Sequence, residues 1–173
     1  VPNKSHLLVD ENGKPFEYPY FIHDSYDSSD AVNHFDWEKA TNEALYPENT
    51  RSRAFTKGLI ALRKSTDAFR MDNMEEVKSR VKLLTIPGEN GVEEEDQVIG
   101  YQITASNGEV YLVLVNADTK ARDFALGTDL ERFRNADVLV DGERAGVINL
   151  TDPKGISWTE RGLRLDALTA TVL

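Results

Sequence analysis

"ITASNGEVYLV", residues 103–113, sets two β-prone runs on either side of Asn107-Gly108. An Asn-Gly pair can take up the positive φ angles that a tight primed turn requires, so the stretch predicts a β-hairpin. Its arms are "QVIGYQITA" (97–105) and "EVYLVLVNA" (109–117). Other short runs around it look strand-like too: "VKLLTI" (81–86), "ARDFAL" (121–126), "ADVLVDG" (136–142), "GISWTE" (155–160) and "LRLDALTATVL" (163–173). Many are β-branched and punctuated by Gly, Asn, Asp or Pro. Roughly seven or eight antiparallel strands with no long helix between them predict a mainly β fold, an antiparallel β-sandwich.

Upstream of the strands the periodicity is helical. "PENTRSRAFTKGLIALRK" (47–64) predicts a helix, with Pro47 in the first turn and Glu48 at the positive end of the dipole. Phe55, Leu59 and Leu62 recur at i, i+4 and i+7 and form an apolar face, widened by Ile60 and Ala61. That face needs a partner, either within this chain or in a part of the protein outside it. "NMEEVKSR" (73–80) predicts a short second helix, with Asn73 as N-cap and Glu76 three residues later. Residues 1–46 are loop-rich, with an Asn12-Gly13 turn signal followed by Pro15 and Pro19.

Composition excludes several functional classes. The chain has 173 residues, 40% hydrophobic and 29% charged, within the range of ordinary globular chains. A formal charge of −10 without any cluster of basic residues opposes binding to nucleic acid or anionic lipid. No apolar run approaches the roughly 20 residues of a membrane span. Without cysteine there is no disulfide, thiolate nucleophile or cysteine-based zinc site. The chain starts at Val1 without an initiator Met and reads as a piece of a longer protein.

Among chemical candidates, "EEED" (93–96) lacks the ligand spacing of a calcium loop and reads as a solvated connection, so no metal site is expected. His23, Asp24 and Ser25 carry the residue types of a hydrolase triad, but adjacent side chains diverge and no G-x-S-x-G elbow is present. Asn149 opens a short "NLT" sequon of the kind that arises by chance. In "SSDAVNHF" (28–35), Ser29 or Asp30 could cap a helix, or the Asp30 carboxylate could accept hydrogen bonds from a polyhydroxylated ligand. His34 falls one helical turn later, able to donate to the same ligand. Tyr26, Phe35 and Trp37 offer faces that either pack or stack on sugar rings.

"FIHDSYDSSDAVNHFDWEKA" and "YPENTRSRAFTKGLIALRKSTDAFR" then carry a family resemblance. The pattern N/D-S-Y-x-S-x-D-x-x-N-x-x-D-W is met by Asp24, Ser25, Tyr26, Ser28, Asp30, Asn33, Asp36 and Trp37. "KGLIALRKSTDAF" is similar to K-G-L-I-x-L-R-x-x-x-P-A-F, with Asp67 in place of proline, a departure expected to touch only the turn. Together they resemble the end of the catalytic barrel of bacterial type I pullulanases, debranching members of the alpha-amylase superfamily. The remainder resembles the C-terminal sandwich of those enzymes.

The resemblance implies two domains: residues 1–70 as the end of a (β/α)8 barrel and residues 71–173 as the sandwich. It implies hydrolysis of α-1,6 bonds in pullulan, glycogen and branched maltodextrins by a retaining mechanism, whose two carboxylates stand about 5–5.5 Å apart. Those carboxylates belong to earlier barrel strands, so no catalytic residue and no cofactor is expected in this chain. Its partners would be the α-glucan and the upstream barrel of the same enzyme. In relatives an Asp-x-x-x-Arg pair holds a glucose unit. Here Asp30 keeps the acid, His34 stands where Arg is often found, and Tyr26 would line the cleft. The resemblance further implies an extracellular or cell-wall-associated enzyme. The competing reading is a non-catalytic α-glucan-binding or adhesive sandwich.

Overall fold

The computed structural model describes residues 26, 29–86, 88, 92–125, 128–160 and 162–173. The turn signals at 12–19 and the run His23, Asp24, Ser25 lie outside the described residues, as does Ser28. Among the described residues four α-helices come first: α1 (Asp30–Asn33), α2 (Trp37–Thr41), α3 (Pro47–Ser65) and α4 (Met74–Arg80). Seven strands follow among the described residues: β1 (Val81–Leu83), β2 (Val98–Thr104), β3 (Val110–Asn116), β4 (Arg122–Ala125), β5 (Ile156–Trp158), β6 (Gly162–Leu165) and β7 (Thr169–Val172). They form a four-stranded sheet in the order β1-β2-β3-β7 and a three-stranded sheet in the order β4-β6-β5, antiparallel throughout.

Both predicted helices form with their caps as read: Pro47 opens α3, and the Asn73 side chain accepts from the Glu76 amide at 2.8 Å. The β2–β3 hairpin forms with a different turn. Only Gly108 takes a positive φ, 88°; its amide bonds to the Ala105 carbonyl and the Ala105 amide to the Glu109 carbonyl. Those bonds describe a three-residue connection closed by a left-handed glycine rather than a two-residue primed turn.

The two sheets face each other through Leu112 and Leu114 of β3 against Phe124, Leu163 and Leu165, with Phe133, Val138 and Leu173 closing the rim. Burying each such side chain stabilises the fold by about 1.5–3 kcal/mol. At one end of the sandwich the buried Asn116 amide donates to the Lys120 and Asp166 carbonyls and accepts from the Asp118 amide, so a strand of one sheet is pinned to the chain leaving the other.

The other face of the larger sheet carries Val113 and Val172, and α3 covers them with Leu62 and Phe55. The contact is close because residue 58 is glycine: a Cβ there would sit 1.8 Å from the Ala145 carbonyl oxygen. The face that docks is therefore Phe55, Gly58 and Leu62. Leu59, expected in it, is 40% exposed, and Ile60 is exposed as well. Asp67 does more than make a turn. Its carboxylate accepts from the Ser106 amide in the hairpin and from the Arg80 guanidinium, each at 3.0 Å, tying the end of α3 to α4 and to the β2–β3 connection.

The stretch 136–142, expected as a strand, makes only isolated bridges from Val140 to Ala145 and to Val172. The cause is Asp141, fully buried, which draws the backbone into a tight loop. Its carboxylate accepts from the amides of Glu143 (2.8 Å), Arg144 (2.6 Å) and Lys154 (3.0 Å), and from the Arg144 guanidinium. Burial alone pushes this carboxyl pKa up; the hydrogen bonds from Lys154, Glu143 and Arg144 outweigh it and hold it below the ordinary value.

Two stability measurements follow from this packing. Leu62→Ala should cost about 2–5 kcal/mol in urea unfolding, and a loss near zero would mean that α3 is not seated on the sheet. Asp141→Ala should cost roughly 3–5 kcal/mol at pH 7. Because the folded-state pKa is depressed, Asp141's contribution is full above about pH 4 and disappears as pH falls through the lowered value. The stability gap between the parent chain and Asp141→Ala should therefore shrink on acidification, and a constant gap would refute the assignment.

Candidate functional site

The candidate site is the short segment ahead of α3. Asp30 is the first residue of α1, and Ser29, in the cap position, makes no side-chain hydrogen bond to the helix. Capping therefore leaves the Asp30 carboxylate unused; among the described residues nothing bonds to it, and the residue is exposed. His34 follows α1 in an extended conformation and turns its ring back, with Nδ1 2.6 Å from the Asp30 carbonyl oxygen. A carbonyl only accepts, so Nδ1 carries the proton, and in the neutral ring Nε2 is left as an acceptor. The sequence-level expectation that His34 donates to a ligand thus holds only for the doubly protonated ring. Tyr26 is 93% exposed.

Asp36 has a structural role that the sequence reading did not single out. It caps α2, accepting from the Lys39 amide at 3.1 Å, with the Lys39 ammonium 3.6 Å away. The Lys39 amide is the main cause of a carboxyl pKa below the ordinary value. Phe35 and Trp37 flank it and meet edge to face at 4.7 Å, both exposed.

A groove of about 560 Å³ runs between this segment and α3, lined by His34, Phe35, Asn49, Arg53, Lys57 and Ile60 among others. His34 is the one predicted site residue that lines it; Asp30 and Tyr26 do not. Arg53 and Lys57, four apart on α3, supply cations the sequence reading passed over. The i, i+4 spacing was the available signal. Gly58 was passed over too, although a glycine inside a helical pattern costs about 1 kcal/mol against alanine and so marks close packing.

The acidic run resolves into an ion pair: Asp96, its side chain largely buried, lies 2.5 Å from the Arg122 guanidinium, which also pairs with Asp118. Among the described residues no group of three or more His, Asp or Glu side chains is arranged to hold a metal ion. No helix among them is long and apolar enough to cross a membrane.

Comparison with known proteins covers the whole chain. It is 65% identical over 173 residues to Pullulanase A of Streptococcus pneumoniae serotype 2 (strain D39 / NCTC 7466), and spans 14% of that protein's length. It superimposes with a TM-score of 0.86 on the catalytic module of the multi-modular glycogen-degrading pneumococcal virulence factor SpuA, at 65% identity, covering 100% of this chain and 24% of that one. The Group B Streptococcus (GBS) pullulanase SAP, solved in complex with maltotetraose, matches 99% of this chain and 22% of its own at 45% identity and a TM-score of 0.83. Residues 80–173 match the family described as SpuA C-terminal. With that match over the α4 terminus and all seven strands, the chain belongs to the SpuA C-terminal family.

Proposed function

We propose that the chain is the C-terminal part of a debranching glycoside hydrolase that cleaves α-1,6 bonds in pullulan, glycogen and branched maltodextrins with retention. The observation that carries this reading is identity sustained at 65% through all 173 residues, so that the segment with Asp30 and the sandwich occur together in the pullulanase relative. Residues 1–70 are the end of the catalytic barrel and residues 71–173 the sandwich domain. The catalytic carboxylates come from the upstream barrel, and this chain alone turns over no substrate and needs no cofactor.

In this reading the segment around Asp30 forms part of the cleft wall. The Asp30 carboxylate and His34 Nε2 accept hydrogen bonds from glucose hydroxyls, and Tyr26 gives the sugar an apolar face. The exposed Phe35, Trp37, Leu59 and Ile60 are apolar surface that the upstream barrel covers; the SpuA catalytic module, of which this chain spans 24%, has the length to supply one. The enzyme works outside the cell or on its wall, where glucan polymers are met. A separate glucan-binding or adhesive module is disfavoured, because Tyr101, Tyr111 and Trp158 are partly buried against the cores instead of forming an open aromatic platform.

Release of reducing sugar from pullulan tests the proposal. The chain alone should give none, and the chain mixed with its upstream barrel should be active; turnover by the chain alone would mean a catalytic pair lies within it. In the full-length enzyme Asp30→Ala should raise KM roughly 10-fold or more, the loss expected for a hydrogen bond to a charged acceptor. An unchanged KM would remove Asp30 from the binding site.

A further inference from the structure

We propose that the loop at residues 141–146 of the sandwich positions the Asp30–His34 segment, acting through α3 and α2; the consequence for substrate rests on the cleft reading above. The loop is rigid by construction. The buried Asp141 carboxylate gathers three backbone amides and the Arg144 guanidinium, and the Gly142 amide bonds to the Lys154 carbonyl at 2.8 Å. That geometry fixes where the Ala145 carbonyl stands, and the Ala145 carbonyl is what the glycine in α3 approaches. Arg51 of α3 adds a second, looser tie, 3.7 Å from the Glu143 carboxylate.

From α3 the constraint passes upstream through α2. The Thr50 amide bonds to the Tyr46 carbonyl, the Tyr46 amide to the Asn42 carbonyl, and the Leu45 amide to the Asn42 side chain, so the connection between α2 and α3 is itself hydrogen-bonded. Ala40 of α2 is buried where α2 packs on α3. Asp36 caps α2 and lies two residues after His34, whose ring is held on the Asp30 carbonyl. A shift of α3 against the 141–146 loop therefore moves α2, and with it the point from which the chain runs back through Phe35 to His34 and Asp30. On this view the sandwich sets the geometry of a binding segment as well as stabilising its neighbour.

Gly58→Ala tests the link in the full-length protein that carries this chain, because its new Cβ must push α3 off the Ala145 carbonyl. Asp141→Asn loosens the loop itself, and Arg51→Ala is an exposed change that keeps the test open if either of those fails to fold. Leu163→Val, which trims the core between the sheets away from α3, is the control. Hydrogen exchange of the amides in residues 30–41 should quicken roughly threefold or more in Gly58→Ala and Asp141→Asn, less in Arg51→Ala, and not in the control. KM for pullulan should rise about fivefold with kcat held within about twofold, the signature of a displaced binding group. Unchanged exchange in all three variants overturns the proposal, and so does equal quickening in Leu163→Val, which would mean general loosening. Quickened exchange with unchanged KM, while Asp30→Ala still raises KM, overturns the claim that the loop tunes binding. If Asp30→Ala leaves KM unchanged, the cleft reading fails by itself and the exchange data alone decide the mechanical link.

Discussion

β3 presents apolar side chains on both of its faces, and both must be kept from water. Leu112 and Leu114 point into the sandwich, where the β4-β6-β5 sheet meets them; Tyr111, Val113 and Val115 point the other way. A strand of this kind cannot sit at a solvated surface without exposing apolar area worth about 25 cal/mol per Å². The second cover comes from α3 together with Val140, so a helix that precedes the strands in sequence is held in place by them. Packing crosses the position near residue 70 where the sequence changes character. Leu62, on one side of it, and Val172, on the other, share a cluster.

Two buried polar groups make the arrangement specific where apolar contact alone would allow sliding. Asn116 spends its amide on carbonyls at the end of one sheet and on an amide at the end of the other, and Asp141 satisfies its charge with backbone amides and a guanidinium. A buried carboxylate is tolerated only when its hydrogen bonds offset the loss of water, and here the balance lies on the side of the charged form. The two residues act at different places. Asn116 registers sheet against sheet, whereas Asp141 shapes the loop on which α3 rests. Each restricts a different motion, and their loss would be felt by different parts of the molecule.

Those polar devices also mark where the sequence was readable and where it was not. The limits of α3 and α4 were legible because Pro47 and Asn73 act locally, through a fixed φ and a side-chain cap. The β2–β3 hairpin was legible for the same reason, although Asn107 did not take the positive φ that a primed turn needs. The stretch 136–142 misled because its apolar alternation is real while Asp141, an ordinary surface residue by type, gathers the amides of Glu143, Arg144 and Lys154 beyond it and so turns the chain into a loop. Leu59 misled because helical spacing alone does not say which of two neighbouring stripes meets the sheet. That choice was made by Gly58 and the Ala145 carbonyl, a contact 87 positions apart in sequence and invisible to any local pattern. In the candidate site, Asp30 could be read as a cap or a ligand-binding acid. The structure puts Ser29, not Asp30, in the cap position, and it sets His34 Nδ1 against the Asp30 carbonyl, a contact that no sequence pattern shows.

That tautomer has a chemical consequence for the proposed cleft. With Nδ1–H committed to the backbone, the neutral imidazole and the Asp30 carboxylate both present lone pairs, so the pair can bind only a ligand that brings its own donors. A glucose unit does, since each of its hydroxyls can donate while accepting elsewhere. An anion without O–H or N–H groups does not, and the formal charge of −10 on the chain disfavours anions further. Where relatives are expected to use Arg beside the acid, the sugar would meet one acceptor and one donor; here it would meet two acceptors. The same glucose unit would then have to turn its hydroxyl hydrogens differently, a change in hydrogen-bond direction that need not alter the shape of the cleft.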